Sequence, residues 1–234
     1  MESFGIIRLV GIIIYLYFLW KNLRKDYEEE KIIELGWISV LAFLVGGRLG
    51  YGLINWGVWK SLGDWFLVYS VSGFDYIIAG VFFWISIFLW SKLNDIGKLV
   101  IADNIVLVFW LMVVMFLMDE YVRSIFDTRV IGLLIASILS MGGGYVVTEK
   151  YRSFSWYKSG KKGFVYFFSV ILFFLINYIL SFIFDSSWKF NWLFVILGLI
   201  FGVGLSMLGD VWILNTPKNW WLQLKDTWKK KKEN

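Results

Sequence analysis

Seven long apolar runs separated by short charged clusters set the pattern of this chain: Phe4–Trp20, Leu35–Ile54, Phe74–Trp90, Leu99–Met118, Val130–Val147, Phe164–Phe184 and Trp192–Leu214. A bilayer core about 30 Å thick takes roughly 20 apolar residues in a helix, so each run is long enough, or nearly so, to cross it. The runs are continuous, whereas barrel strands would alternate over about ten residues, so helices follow. The fifth run is the weakest, because Gly142, Gly143 and Gly144 interrupt it, and the seventh carries Asp210 near its end. The pattern predicts an all-α, polytopic transmembrane bundle of about seven spans over residues 1–214, followed by a basic tail, 215–234. The longest connections, Asn55–Gly73 and Thr148–Gly163, are too short for a soluble domain, and no internal repeat is visible. The one proline, Pro217, lies beyond the last run, so no span carries a proline kink. The first run has no basic leader and no small-residue cleavage site, and reads as a retained span.

With seven spans the connections alternate between sides. Lys21–Lys31, Ser91–Lys98, Thr148–Lys162 and the tail from Asn215 fall on one side and together hold 17 of the 23 Lys and Arg residues. The positive-inside rule then predicts an N-terminus outside, a C-terminus in the cytoplasm, and a multi-pass protein of the cytoplasmic membrane. Trp20, Trp37, Trp56, Trp90 and Trp192, at span ends, fit interfacial aromatic belts.

Composition agrees with lipid as the solvent. The chain is 59% hydrophobic with a mean hydropathy of +0.68 and only 18% charged residues, against about half apolar and a quarter charged for soluble domains. The net charge of +5 includes the run Lys229 to Lys232, which beside a membrane is drawn to anionic headgroups or simply fixes topology; it does not indicate nucleic acid. There is no Cys and no His. Disulfides and Cys/His metal sites are therefore excluded, the commonest general base near neutral pH is missing, and no cofactor is implied.

Orientation gives the polar residues a depth. Arg48 lies 13 residues beyond Leu35, which places it roughly 20 Å from the cytoplasmic end, in the outer half of the membrane. Asp75 opens the third span from the outside, Asp119 and Glu120 close the fourth at the outer face, Asn177 sits in the outer half of the sixth, and Asp185 ends it. An unpaired arginine at that depth costs roughly 2.5–3.5 kcal/mol on insertion scales, so Arg48 calls for a partner. An ion pair with Asp75, Asp119 or Glu120 is the preferred reading, and a bidentate grip on a lipid phosphate the alternative. Asp103 and Asn104, in the cytoplasmic half of the fourth span, either line a polar cavity or, preferably, bond to neighbouring helices. The spacings Gly46-xxx-Gly50 and Gly198-xxx-Gly202 permit close helix packing and carry no functional weight.

Two stretches go further. The segment Phe43-Leu44-Val45-Gly46-Gly47-Arg48-Leu49-Gly50-Tyr51, with Asn55 shortly after, resembles the second transmembrane region of bacterial prolipoprotein diacylglyceryl transferases, which carry a Gly-Gly/Ala-Arg-Ile/Leu-Gly-Tyr run there. Phe4-Gly5-Ile6-Ile7-Arg8-Leu9-Val10-Gly11 is similar to the family's first helix, and Asp103 falls where the family often has an Asp opening the fourth. The seven-span count and the outside N-terminus agree as well. The resemblance implies transfer of a diacylglyceryl group from phosphatidylglycerol to the lipobox Cys thiol of a preprolipoprotein, a step of lipoprotein biosynthesis at the outer face, with glycerol phosphate leaving. That chemistry needs a cation for the phosphate and a base for the thiol proton.

The chain also departs from the family. The first-helix Tyr is Phe4, the His-Gly-Gly stretch corresponds to about Asp75-Tyr76-Ile77, and the signature Gly-Arg-x-Gly-Asn is absent around Phe116 to Tyr121. The later helix that carries an Arg in the family is aromatic and aliphatic from Phe164 to Leu175. These departures point to lost or altered catalysis. A divergent transferase would keep Arg48 on the phosphate, recruit Glu120 or Asp75 as base, and use Arg123 or Arg129 as substitute cations. A non-catalytic relative would bind phospholipid or a membrane partner, such as a preprolipoprotein signal peptide, in the inherited groove. An unrelated small transporter or structural membrane protein is the third reading, although no inverted repeat or broken-helix pair marks it.

Overall fold

In the computed structural model, residues 5–55, 73–123, 127–148, 150, 162–183 and 191–208 are described, without the side chains of residues 123, 191–194 and 206–208. They form seven α-helices and, among the described residues, no strand: α1 (Ile6–Leu23), α2 (Glu29–Ile54), α3 (Tyr76–Leu93), α4 (Lys98–Arg123), α5 (Thr128–Thr148), α6 (Phe164–Ile183) and α7 (Asn191–Leu208). The first six are long and apolar enough to cross a membrane; α7 is 18 residues long, and its described side chains are those of residues 195–205. The expectation of about seven spans thus meets seven helices, six of them candidate spans among the described residues. The end of the seventh expected run, 209–214, and the basic tail lie outside the described residues.

The outer faces of the bundle are aliphatic. Ile13, Leu41, Ile85, Leu89 and Leu199 are all at least half exposed, which water would not tolerate as a continuous girdle and hydrocarbon would.

Successive helices reverse direction. Arg8, near the start of α1, pairs with Asp119, near the end of α4, while at the other end Asn22 Nδ2 donates to Asn104 O at 3.1 Å. The Asp75 N–H donates to Gly47 O at 2.9 Å, joining the end of α2 to the start of α3. Asp103, in the second turn of α4, accepts from Gly163 N and Tyr166 N at the start of α6. One end of the bundle therefore gathers the start of α1, the end of α2, the start of α3, the end of α4 and the start of α5. The other end carries Lys21, Arg24, Lys92, Lys98 and Lys162.

Small residues and aromatic rings share out the interior. Phe43 lies 5.3–6.4 Å, ring to ring, from Phe74, Phe83, Phe109 and Phe116, mostly edge to face, the geometry that the ring quadrupole favours. Where α2 meets α3 the rings reach backbone. A Cβ on Gly46 would stand 2.5 Å from Phe82 Cβ, and one on Gly50 2.6 Å from Ile78 Cβ. The first glycine spacing is thus a helix seam, whereas at Gly202 in the second an added Cβ meets nothing within 4 Å. The Gly142 to Gly144 run does not interrupt its span. It lies inside the continuous α5, where Cβ atoms at Gly143 and Gly144 would come within 2.6 and 2.7 Å of Leu172 and Leu107. Glycine lowers helix propensity by about 1 kcal/mol, but packing of this closeness outweighs it.

The seam yields a prediction. Gly50→Ala should destabilise the detergent-solubilised protein by about 1–3 kcal/mol through overpacking, while Gly142→Ala, with open space around it, should leave the thermal midpoint unchanged or raise it. Equal midpoints for the two variants would contradict the close α2–α3 contact.

Candidate functional site

The charged layer is assembled from helix ends. Arg8 sits in the first turn of α1, and its Nε is 2.8 Å from Asp119 Oδ2 with both side chains mostly buried; the N–H is not aligned for a hydrogen bond, so this is a charge contact. The Asp119 carboxylate presses on the N-terminal turn of α1: a Cβ on Gly5 would fall within 1.6 Å of its Oδ1. Glycine is required there for that approach. The carboxylate sits where the dipole of α1 is positive, so Arg8 and the helix terminus act on it in the same sense. The Arg8 guanidinium also lies 5.7 Å from the Phe116 ring centroid and 3.9 Å, at Nη2, from Glu120 Oε2.

Glu120 is the more open carboxylate of the pair, with its side chain 28% exposed. The Tyr76 hydroxyl, on the first residue of α3, donates to Glu120 Oε2 and lies 3.4 Å from Phe116 O. The arrangement Arg8, Glu120, Tyr76 thus ties α1, α4 and α3 together at one level.

Asp75 has a structural task. Its Oδ1 accepts from Ile77 N and Ile78 N at 3.0 and 2.9 Å, capping α3. Its Oδ2 faces Arg129 Nη2 at 3.4 Å, and the Arg129 side chain is 53% exposed on the first turn of α5. Asp127 precedes it as the cap of α5, its Oδ1 accepting from Arg129 N at 2.9 Å.

Arg48 is the bulkiest of the fully buried side chains, only 2% exposed. Its Nη1 donates to Gly73 O at 3.0 Å. The carboxylate contacts described in this layer are made by Arg8 and Arg129, and the described bond of Arg48 goes to a backbone carbonyl. Gly47 O binds the Asp75 N–H, so the chain entering α3 runs past Arg48 and offers it the Gly73 carbonyl.

The remaining expected site residues scatter. Arg123 ends α4 and its side chain is outside the described set. Asn55 follows α2 and donates to Tyr51 O at 3.0 Å. Asp103 is at the opposite end, bonding α6 across the bundle at 2.5 and 2.9 Å. Asn177 is buried in α6, with Nδ2 on Phe173 O at 2.9 Å and Oδ1 without a partner among the described residues. The geometry thus joins Asp75 with Arg129, and sets Glu120 with two residues that the sequence reading had given no role, Arg8 and Tyr76. A signal for both was present. Each lies within one turn of the same membrane level as Glu120, once the spans are laid antiparallel. Among the described residues no group of three carboxylates is placed to hold a metal ion.

Chemically, the layer offers a half-open carboxylate bridged to a phenol, and a half-exposed guanidinium beside a buried one. No known family profile, characterised protein or solved structure matches the chain.

The Arg8–Asp119 contact sets a second prediction. Asp119→Ala should destabilise by about 1–3 kcal/mol, because it removes the nearer of the two carboxylates that face the mostly buried Arg8 guanidinium, and Arg8→Met in that background should recover part of the loss. Strictly additive effects, measured by unfolding in mixed micelles, would show that the two side chains are not coupled.

Proposed function

We propose that this protein is a divergent relative of the prolipoprotein diacylglyceryl transferases, lodged in a cytoplasmic membrane with its N-terminus outside, and that its charged layer binds the phosphate headgroup of an anionic phospholipid. The observation that carries the reading is the unequal hold on the two arginines flanking Asp75. Arg48 is buried and hydrogen-bonded to Gly73 O, so it is a fixed positive charge. Arg129 is half exposed, with its Nη2 3.4 Å from Asp75 Oδ2. The pair is open to water on the Arg129 side only, since Asp75 is buried. An incoming phosphodiester, with one negative charge and two non-bridging oxygens, presents the half-exposed Arg129 with an acceptor of the same fork geometry as the Asp75 carboxylate, and Asp75 keeps its two N–H bonds to α3. The Gly46 to Tyr51 run supports the lineage, and within that lineage the lipid is phosphatidylglycerol.

A second reading, diacylglyceryl transfer itself, is favoured by Glu120, which is partly exposed and bonded to Tyr76. In that reaction the lipobox thiol sulfur bonds to the terminal glyceryl carbon, the carbon–oxygen bond to phosphate breaks, glycerol phosphate leaves, and the thiol proton passes to Glu120. The missing His and signature Arg and Asn favour binding over transfer.

One experiment separates the two. Native mass spectrometry of purified protein should show retained phosphatidylglycerol, with apparent affinity falling roughly tenfold or more in Arg129→Ala, since a charge-assisted hydrogen bond is worth about 1.5–3 kcal/mol. Unchanged retention in both Arg129→Ala and Arg48→Lys would overturn the binding site. Adding a lipobox peptide should give no thioether product; a product that Glu120→Gln abolishes would establish the transfer instead.

A further inference from the structure

The lysine-rich end of the bundle holds a cleft of about 390 Å3 between α3, α4, α6 and α7, a volume within the range of small-molecule and lipid-chain sites. Phe88, Leu99, Tyr166, Phe167 and Phe201 form its walls, and Lys98 is the one charged lining residue among the described residues. The walls are held by ring contacts rather than by loops. Tyr166 lies 5.9 Å, centroid to centroid, from both Phe88 and Phe201, and Phe167 lies 5.7 Å from Phe201. Tyr166 is further pinned through its backbone N–H on Asp103. The cleft is therefore shaped before anything enters it.

Position decides what enters. Lys98 is the first residue of α4, at the end of a spanning helix, so its ammonium sits at headgroup level. Phe88 is five residues inside the end of α3, about 8 Å deeper along the helix axis. Ile200, on the α7 wall of the same cleft, is 58% exposed, on the face that meets lipid. A slot that opens at the hydrocarbon, is apolar along its length and carries a cation at its polar mouth matches the layout of an anionic phospholipid. Among the described residues Lys98 has no carboxylate partner, so its charge is available to a headgroup.

We propose that this cleft seats one acyl chain of an anionic phospholipid of the adjoining leaflet, with the headgroup phosphate on Lys98. The site is separate from the charged layer at the other end of the bundle and does not depend on the function proposed for that layer. The phosphate supplies the specificity and the chain the residence. A free phosphate gains nothing from the aromatic walls, and a zwitterionic lipid brings its own cation beside the phosphate, which offsets the attraction of Lys98; an anionic phospholipid satisfies both halves.

The test uses the Arg129→Ala protein, so that lipid held at the opposite end does not mask the result. Reconstituted into nanodiscs of mixed phosphatidylglycerol and phosphatidylcholine, then analysed by native mass spectrometry, it should retain phosphatidylglycerol in preference to phosphatidylcholine. Lys98→Glu, an exposed change that the fold should accept, should cut that retention about tenfold. Leu99→Trp, which fills the slot, should abolish it. Millimolar glycerol phosphate should fail to compete. Retention unaffected by Lys98→Glu, equal retention of the two lipids, or displacement by glycerol phosphate would each overturn the proposal. Should Leu99→Trp fail to fold, the Lys98→Glu comparison decides alone.

Discussion

A helix that starts at or within a hydrocarbon layer exposes N–H groups that no solvent can satisfy, and this protein meets that constraint with aspartates. Asp75 caps α3 from its own chain, and Asp127 caps α5. Asp103 reaches from α4 to accept two backbone N–H groups at the start of α6, and Asp119, also on α4, meets the first turn of α1 through the Arg8 side chain. The two long-range contacts matter most. Both originate on α4, one near each end of its 26 residues, so α4 is tied by carboxylates to α1 at one membrane face and to α6 at the other. Its buried face, from Ile101 to Leu117, fills the space between.

That use of carboxylates limits what else they can do. A carboxylate that holds backbone N–H groups is committed to the fold, and its loss leaves polar groups unpaired in a low-dielectric interior. Asp75 and Asp103 are of this kind, and Asp119 is held between a guanidinium and a helix terminus. Glu120 differs, since its described partners are side chains, Tyr76 and Arg8, and part of it is open. The cations divide likewise. Arg48 is buried and Arg8 mostly so, while Arg129 is half exposed against Asp75 and Lys98 is exposed. Arg129 and Lys98 stand at opposite ends of the bundle, each near the start of a candidate spanning helix.

Hydropathy alone made the helices legible, because lipid accepts any continuous apolar run of sufficient length. It under-read α2 and α4, which start before or continue beyond the apolar runs through Glu29 to Glu34 and through Asp119 to Arg123. Helical hydrogen bonding does not stop where the hydrocarbon does. Depth counting also found the level of Arg48, Asp75, Asp119 and Glu120. Their pairing was not legible, since it depends on which helices are neighbours. Arg8 meets Asp119 because α1 packs on α4, and Gly47 meets Asp75 because α2 packs on α3. A linear sequence carries depth but not azimuth. The Gly142 to Gly144 run shows the same limit, for its propensity argued against a span while Gly143 and Gly144 lie close against Leu172 and Leu107, on two other helices.

The bond from Asp75 N–H to Gly47 O connects these strands of the account. Gly47 precedes Arg48, and Asp75 heads α3, so one hydrogen bond sets the spacing between the buried guanidinium and the carboxylate that holds Arg129. Replacing Gly47 with any larger residue would drive a Cβ to 2.2 Å from the Phe74 ring, pushing apart the helices that this bond joins. The glycine pair before Arg48 is then part of the site in a physical sense, since it fixes how near the two charges of opposite sign stand. A run that a sequence reading treats as a family mark is here explained by the closeness that α2 and α3 require.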